Sequence, residues 1–185
     1  MAGTNYPITH PIDYTETGQE IQIMQQLRYT LFALPILVLS TFQAAALEPI
    51  TEPDAPIIVY KVESGFDETK DFLQLAITDK GMKISTTMHI SEMLDRTAKD
   101  TGLEKRLYEK AESLEFCSVI MSYKMSEAHP ANLAVCPLTI SLYTLPDAPE
   151  HTYITYQRPY LLGDGAEAAD ALVELLDSIV RSAVE

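Results

Sequence analysis

The stretch AESLEFCSVIMSYKMSEAHPANLAVCPLTISLYTLPDAPEHTYITYQR, Ala111 to Arg158, decides the fold. It holds both cysteines and the densest strand pattern of the chain. Ser113 to Cys117 reads as a short strand. Ser118 then caps a helix, SVIMSYKMSEA, which must stop before His129-Pro130 because the residue preceding a proline is driven out of the helical region. Leu133 to Leu145 reads as a strand, with Pro137 at an edge or bulge where its missing donor does no harm. Pro146 to Glu150 form a hairpin turn and Thr152 to Gln157 return as its second strand. Alternation of Tyr153 and Thr155 against Ile154 and Tyr156 gives that strand one buried face.

Downstream, Gly163 to Glu185 reads as an amphipathic helix, with Asp164 and Glu167 as a capping box. Ala168, Leu172, Leu175, Leu176 and Ile179 form the stripe that packs on the sheet. Upstream, Ile57 to Val62 is β-branched enough for a strand. Ser64 is placed to cap a helix running to about Asp79, with Phe72, Leu75 and Ala76 on its buried face and Gly81 ending it. A strand from Met82 to Ile90 follows, and Ser91 caps a shorter helix closed by Gly102. The architecture expected is α+β.

The N-terminal third reads as delivery. Leu27 to Ala46, LRYTLFALPILVLSTFQAAA, sets one arginine before an apolar run of about eleven residues and a small-residue tripeptide, the order of a cleavable secretory signal peptide. The run falls short of the roughly 20 residues a membrane span needs. Cleavage after Ala46 is expected, with no membrane span afterwards. Residues 1–23 carry no base and precede a conventional signal start at Met24, so they are expected to be an untranslated or dispensable extension. The organisation is thus extension 1–23, signal peptide 24–46, proline-rich linker 47–56, and a single domain 57–185, periplasmic or secreted.

Charge narrows the partners. The chain carries −14 in 185 residues, and losing residues 1–46 removes three acids and one base, leaving 24 acids against 12 bases. Such a surface repels phosphate backbones and anionic headgroups, which argues against nucleic acid and membrane-surface binding.

The run LEFCSVIMSYKMSEAHPANLAVCPLTISLY, followed by YITYQRP, resembles the domain-of-unknown-function family 302 found in exported proteins. There a cysteine ends a strand, a methionine-bearing helix follows, and a second cysteine precedes a proline. FDETKDFL, the strand ending at His89 and the TGL at Thr101 to Leu103 fall in the order of that family. The resemblance implies a β-α-β(n)-α domain, a twisted antiparallel sheet with helices on one side, often a homodimer. It implies no activity, and some relatives lie near sulfur-oxidation genes, which suggests an exported redox or sulfur-metabolism protein as partner. In the family pattern a glycine-asparagine-proline turn stands where this chain has Phe116-Cys117-Ser118, so a function tied to that turn does not transfer.

Three chemistries suit the residues. A Cys117–Cys136 disulfide would close a loop of 18 intervening residues and stabilise by about 3 kcal/mol on chain-entropy grounds. Free thiols would serve redox or sulfur transfer, because Cys117 just before a helix is placed where the dipole favours a thiolate. Cys117, Met121, Met125 and His129 recur every four residues and drift by only about 40° per step. These soft donors, with His89 from the sheet, suit copper or a non-covalent haem. The ladder spans about 18 Å, so only two neighbours at a time could meet one ion. Arg158 and Tyr156 are candidates for orienting an anion. Gly163-Asp164-Gly165-Ala166-Glu167-Ala168 matches a dinucleotide-binding pattern but lacks the second βα unit, and reads as a helix cap. The sequence therefore leads to an exported, non-enzymatic binding or accessory domain with its site near the two cysteines. A redox or sulfur-transfer protein and a structural dimer remain the alternatives.

Overall fold

The structure is a computed structural model that describes residues 47–103 and 105–184. The expected extension, signal peptide and cleavage point lie outside them. Five strands form one antiparallel sheet in the order β1-β5-β4-β3-β2: β1 Ile57–Val62, β2 Lys83–His89, β3 Lys110–Cys117, β4 Leu138–Leu145 and β5 Ala148–Gln157. Four helices join them: α1 Phe66–Asp79, α2 Ile90–Thr101, α3 Val119–Ala128 and α4 Ala166–Val184. The α+β class and the antiparallel sheet are as the sequence implies. No helix of the described residues is long and apolar enough to cross a membrane.

The sheet has one apolar face because its strands alternate. Tyr60, Ile154, Leu142 and Glu112 are paired in register across β1, β5, β4 and β3, and the first three are fully buried. Leu73, Ala76 and Ile77 of α1 join them in one core with Leu172, Leu176, Ile179 and Val180 of α4. The opposite face carries the Ser113–Ser141 hydroxyl pair at 2.7 Å and the stacked rings of Tyr143 and Tyr153 at 5.0 Å.

Several local expectations are corrected. Helix α1 is capped at Gly65 without a side-chain bond, and the Ser64 hydroxyl reaches Glu68 instead. Phe72 and Leu75 are about half exposed, at 50% and 54%, because the buried stripe is Phe66, Thr69, Leu73, Ala76 and Ile77. Apolar residues occur on both sides of this helix, so periodicity alone could not choose between them. Helix α2 begins at Ile90, and Ser91 accepts a bond from the Ala111 amide rather than capping. Helix α4 starts one turn later than expected, with the Ala169 amide on the Gly165 carbonyl. Residues 133–135 belong to a 3-10 turn, Pro130–Val135, and β4 starts only at Leu138, so Pro137 precedes a central strand instead of sitting within an edge. The proline-rich segment 47–56 is held by the domain: Arg158 donates to the carbonyls of Pro53 and Ala55, and Arg181 to that of Leu47.

Helix α4 is locked to the sheet by one carboxylate. Asp177 accepts from the hydroxyls of Tyr60 on β1 and Tyr156 on β5, and from Arg181 Nε at 3.0 Å. Burial pushes the Tyr156 phenol up to about 12, so it remains a neutral donor. Replacing Asp177 by Asn should cost about 2 kcal/mol in urea unfolding, the order of a charge-assisted bond network losing its acceptor. Stability should also fall as pH rises from 10 toward 12, because the unfolded tyrosine ionises there while Tyr156 keeps its proton.

Candidate functional site

The site is built by the meeting of β3 and β4. Phe116 is opposite Leu138 in their register, so the residues just beyond that pair are brought together at one end of the sheet. Cys117 is the last residue of β3. Ser118 caps α3 by accepting the Met121 amide at 3.4 Å, as its sequence position implies. The helix closes at His129, the chain turns through residues 130–135, and Cys136 enters β4 through a cis bond to Pro137. The two sulfurs lie 3.3 Å apart, both as free thiols. Ser122 Oγ is 3.0 Å from Cys136 Sγ.

The two thiols differ in surroundings. Cys117 is exposed and Cys136 half-buried. The Cys117 sulfur loses part of its water against its neighbours, and this, with the Cys136 sulfur beside it, pushes its pKa above the ordinary thiol value. The backbone amide of Leu138 opposes that shift and does not overcome it. The thiolate expected from the helix terminus is thus not favoured. Helix α3 begins two residues later, at Val119, and one of its first free amides, that of Met121, is served by Ser118.

The segment between the cysteines is pinned by Asn132, which is buried. Its Nδ2 donates to the carbonyls of Met125 at 3.0 Å and Leu162 at 3.1 Å, while its Oδ1 accepts the Leu162 amide at 2.8 Å. Three bonds from one amide tie α3, the 3-10 turn and the approach to α4. Next to it Gly163 has φ +68°, and a Cβ there would overlap the Ala128 carbonyl oxygen. Only glycine lets the two backbones approach this closely.

The other candidate residues fall elsewhere. Met121 and Met125 point into the core, Met125 being 1% exposed. His129 is exposed, and its Nδ1 accepts the Ala131 amide at 3.1 Å. His89 pairs with Glu112 at 3.1 Å, five residues along β3 from Cys117, hence about 17 Å away. The structure therefore joins Cys117 and Cys136 and does not bring His89 to them. Among the described residues, no three His, Cys, Asp or Glu side chains are grouped to hold a metal ion. Arg158 is bound to the carbonyls of Pro53 and Ala55, and Tyr156 to Asp177. Sequence reasoning missed Ser122 and Asn132. Ser122 reads as one more polar helix residue, and a buried asparagine in a short turn leaves no periodic trace.

A five-stranded antiparallel sheet packed by helices defines an α+β domain. The sequence matches the family described as Domain of unknown function DUF302 over residues 58–183, and the chain belongs to that family. The fold is similar to the crystal structure of an uncharacterized conserved DUF302 protein from Bacillus stearothermophilus. That likeness has a TM-score of 0.57 and 18% identity, and covers 69% of this chain and 98% of the other. No curated protein matches the sequence.

Replacing Asn132 by Ala removes all three bonds and takes this partner from both the amide and the carbonyl of Leu162, while the Met125 carbonyl keeps the His129 amide. A loss of about 2–3 kcal/mol in thermal or urea unfolding is expected. Faster hydrogen exchange at the Leu162 amide should mark the loss as local to this pin.

Proposed function

We propose that this domain is an exported dithiol–disulfide protein in which Cys117 attacks and Cys136 resolves. The observation that carries the reading is the 3.3 Å approach of an exposed sulfur to a half-buried one. An exchange partner reaches the first without rearrangement, and the second waits within contact. Export rests on the signal-like segment before Leu47, and a compartment outside the cytoplasm permits disulfides.

The step balances with an external disulfide as oxidant. Cys117 loses its proton to solvent, and its thiolate attacks one sulfur of R–S–S–R′. The new bond joins Cys117 to R–S, and R′–S⁻ leaves and takes up a proton. Cys136, deprotonated in turn, attacks Cys117 Sγ, forms the intramolecular disulfide and expels R–S⁻. Two protein thiols are oxidised and one external disulfide is reduced to two thiols. Ser122 Oγ, 3.0 Å from Cys136, is placed to donate to that sulfur as it becomes a thiolate. A couple whose thiolate is disfavoured gains no stabilisation in its reduced form, so the disulfide is the resting state in an oxidising compartment.

A soft-ion reading rests on the same two sulfurs, which suit copper(I) as a pair of thiolates. Its signature is one copper(I) retained per chain through desalting and lost in the Cys136→Ser protein.

Reduced protein mixed with 2-hydroxyethyl disulfide tests the leading reading. The wild type should release two equivalents of mercaptoethanol, Cys136→Ser should stop at a mixed disulfide on Cys117, and Cys117→Ser should react far more slowly. Because the Cys117 pKa is raised, the rate should climb about tenfold per pH unit through neutrality. It should still be rising near pH 9, where a free thiol is levelling off. A Cys117→Ser protein that exchanges as fast as wild type would falsify the assignment of roles.

A further inference from the structure

Helix α3 is apolar on two sides. Its inner side, Met121 and Met125, fills the core, and its outer side is exposed among the described residues. Val119 is 84%, Ile120 69% and Tyr123 70% exposed. Ile120, Tyr123, Lys124 and Glu127 follow the i, i+3, i+4, i+7 rule and so form one continuous stripe. Leu133, also exposed, lies in the 3-10 turn that leads back to Cys136. The stripe thus starts beside the exposed thiol. At its far end, Lys124, Glu127 and Ala128 meet Asp164, Glu167 and Ala168 of the α4 entry in an open cleft of about 420 Å³. Three carboxylates against one ammonium make that cleft negative, on a chain that is acidic throughout.

Resting on the dithiol reading, we infer that the outer face of α3 docks the substrate of the exchange: an extended polypeptide segment with apolar side chains next to its cysteine and a basic side chain further along. Val119, Ile120 and Tyr123 supply the apolar contact at the thiol, where burial of such surface is the main source of affinity. Glu127, Asp164 and Glu167 supply the charge complement that selects Lys or Arg over an acid and speeds encounter. The distance fixes the spacing. From Val119 to Glu127 the helix rises about 12 Å, which an extended chain covers in about four residues. The basic residue therefore lies about four to five positions from the cysteine.

The test uses the full reduced chain and three probes at low salt. The first is a leucine-containing peptide whose cysteine is held as a mixed disulfide with mercaptoethanol, with arginine four residues on. The second replaces that arginine by glutamate, and the third is 2-hydroxyethyl disulfide. The arginine peptide should react about tenfold faster than the glutamate peptide, a ratio set by roughly one lost charge contact. In the Ile120→Ser/Tyr123→Ser protein the ratio of peptide rate to small-disulfide rate should fall by about tenfold. In Glu127→Gln/Glu167→Gln the preference for arginine over glutamate should vanish while both peptides still react faster than 2-hydroxyethyl disulfide. Equal rates for the two peptides, or ratios unmoved by these substitutions, overturn the proposal.

Failure with 2-hydroxyethyl disulfide as well sinks the dithiol reading instead. Fluorescence anisotropy of a labelled, cysteine-free arginine peptide then decides docking by itself: binding that Ile120→Ser/Tyr123→Ser removes upholds the surface, and no binding ends it. A wild-type dimer in sedimentation that the same double substitution dissociates shows a second copy on the stripe, and overturns the peptide as its occupant.

Discussion

Burial of a single sheet face is the constraint on which this structure depends. Tyr60, Ile154, Leu142 and their neighbours on the sheet must be covered, and α1 and α4 are the elements that cover them. The Asp177 carboxylate then fixes α4 against β1 and β5, so that an apolar contact without direction acquires one register. Once the sheet is set, β3 and β4 are obliged to end side by side, and whatever joins them must leave and return at one place. The cysteines sit at those two points. Their approach is a consequence of strand pairing rather than of any affinity between sulfurs.

The connection between them has its own lock. Asn132 bonds three backbone groups of α3 and the approach to α4, and Gly163 lets the α4 entry lie against the end of α3. This arrangement keeps Met121 and Met125 in the core and turns Val119, Ile120 and Tyr123 outward. A helix apolar on both sides cannot bury both against one sheet. The side left over borders the exposed thiol.

Much of the fold was legible because alternation and capping are local signals. The β5 alternation from Thr152 to Gln157, the Ser118 cap and the stripe of α4 each appear as read, and the α+β class follows from them, while the antiparallel sheet was implied by the family resemblance. What was not legible depended on tertiary choice. Phe72 and Leu75 had the right residue type for the buried face of α1, but the stripe through Leu73 and Ile77 carried more apolar surface inward. The 3-10 turn before β4 was hidden because LAVCP has strand composition, and only the Asn132 bonds show why it coils. At the site, the nearness of Cys117 and Cys136 followed from strand pairing and could be anticipated. The four-residue ladder, in contrast, was helical periodicity alone, and periodicity cannot tell a ligand methionine from a core one. The direction of the Cys117 pKa was misjudged for a related reason. The dipole argument considered the helix alone and left out the local loss of water and the second sulfur, both of which raise the pKa.

The measurement that tests the central claim most directly is thiol accounting on the protein purified without reductant, by intact mass after alkylation in denaturant, without and then with prior reduction. The account predicts no alkyl group before reduction and two after it, with both on the peptides that contain Cys117 and Cys136. Two alkyl groups added before any reduction would contradict it, because sulfurs at 3.3 Å would then have failed to pair under oxidising conditions.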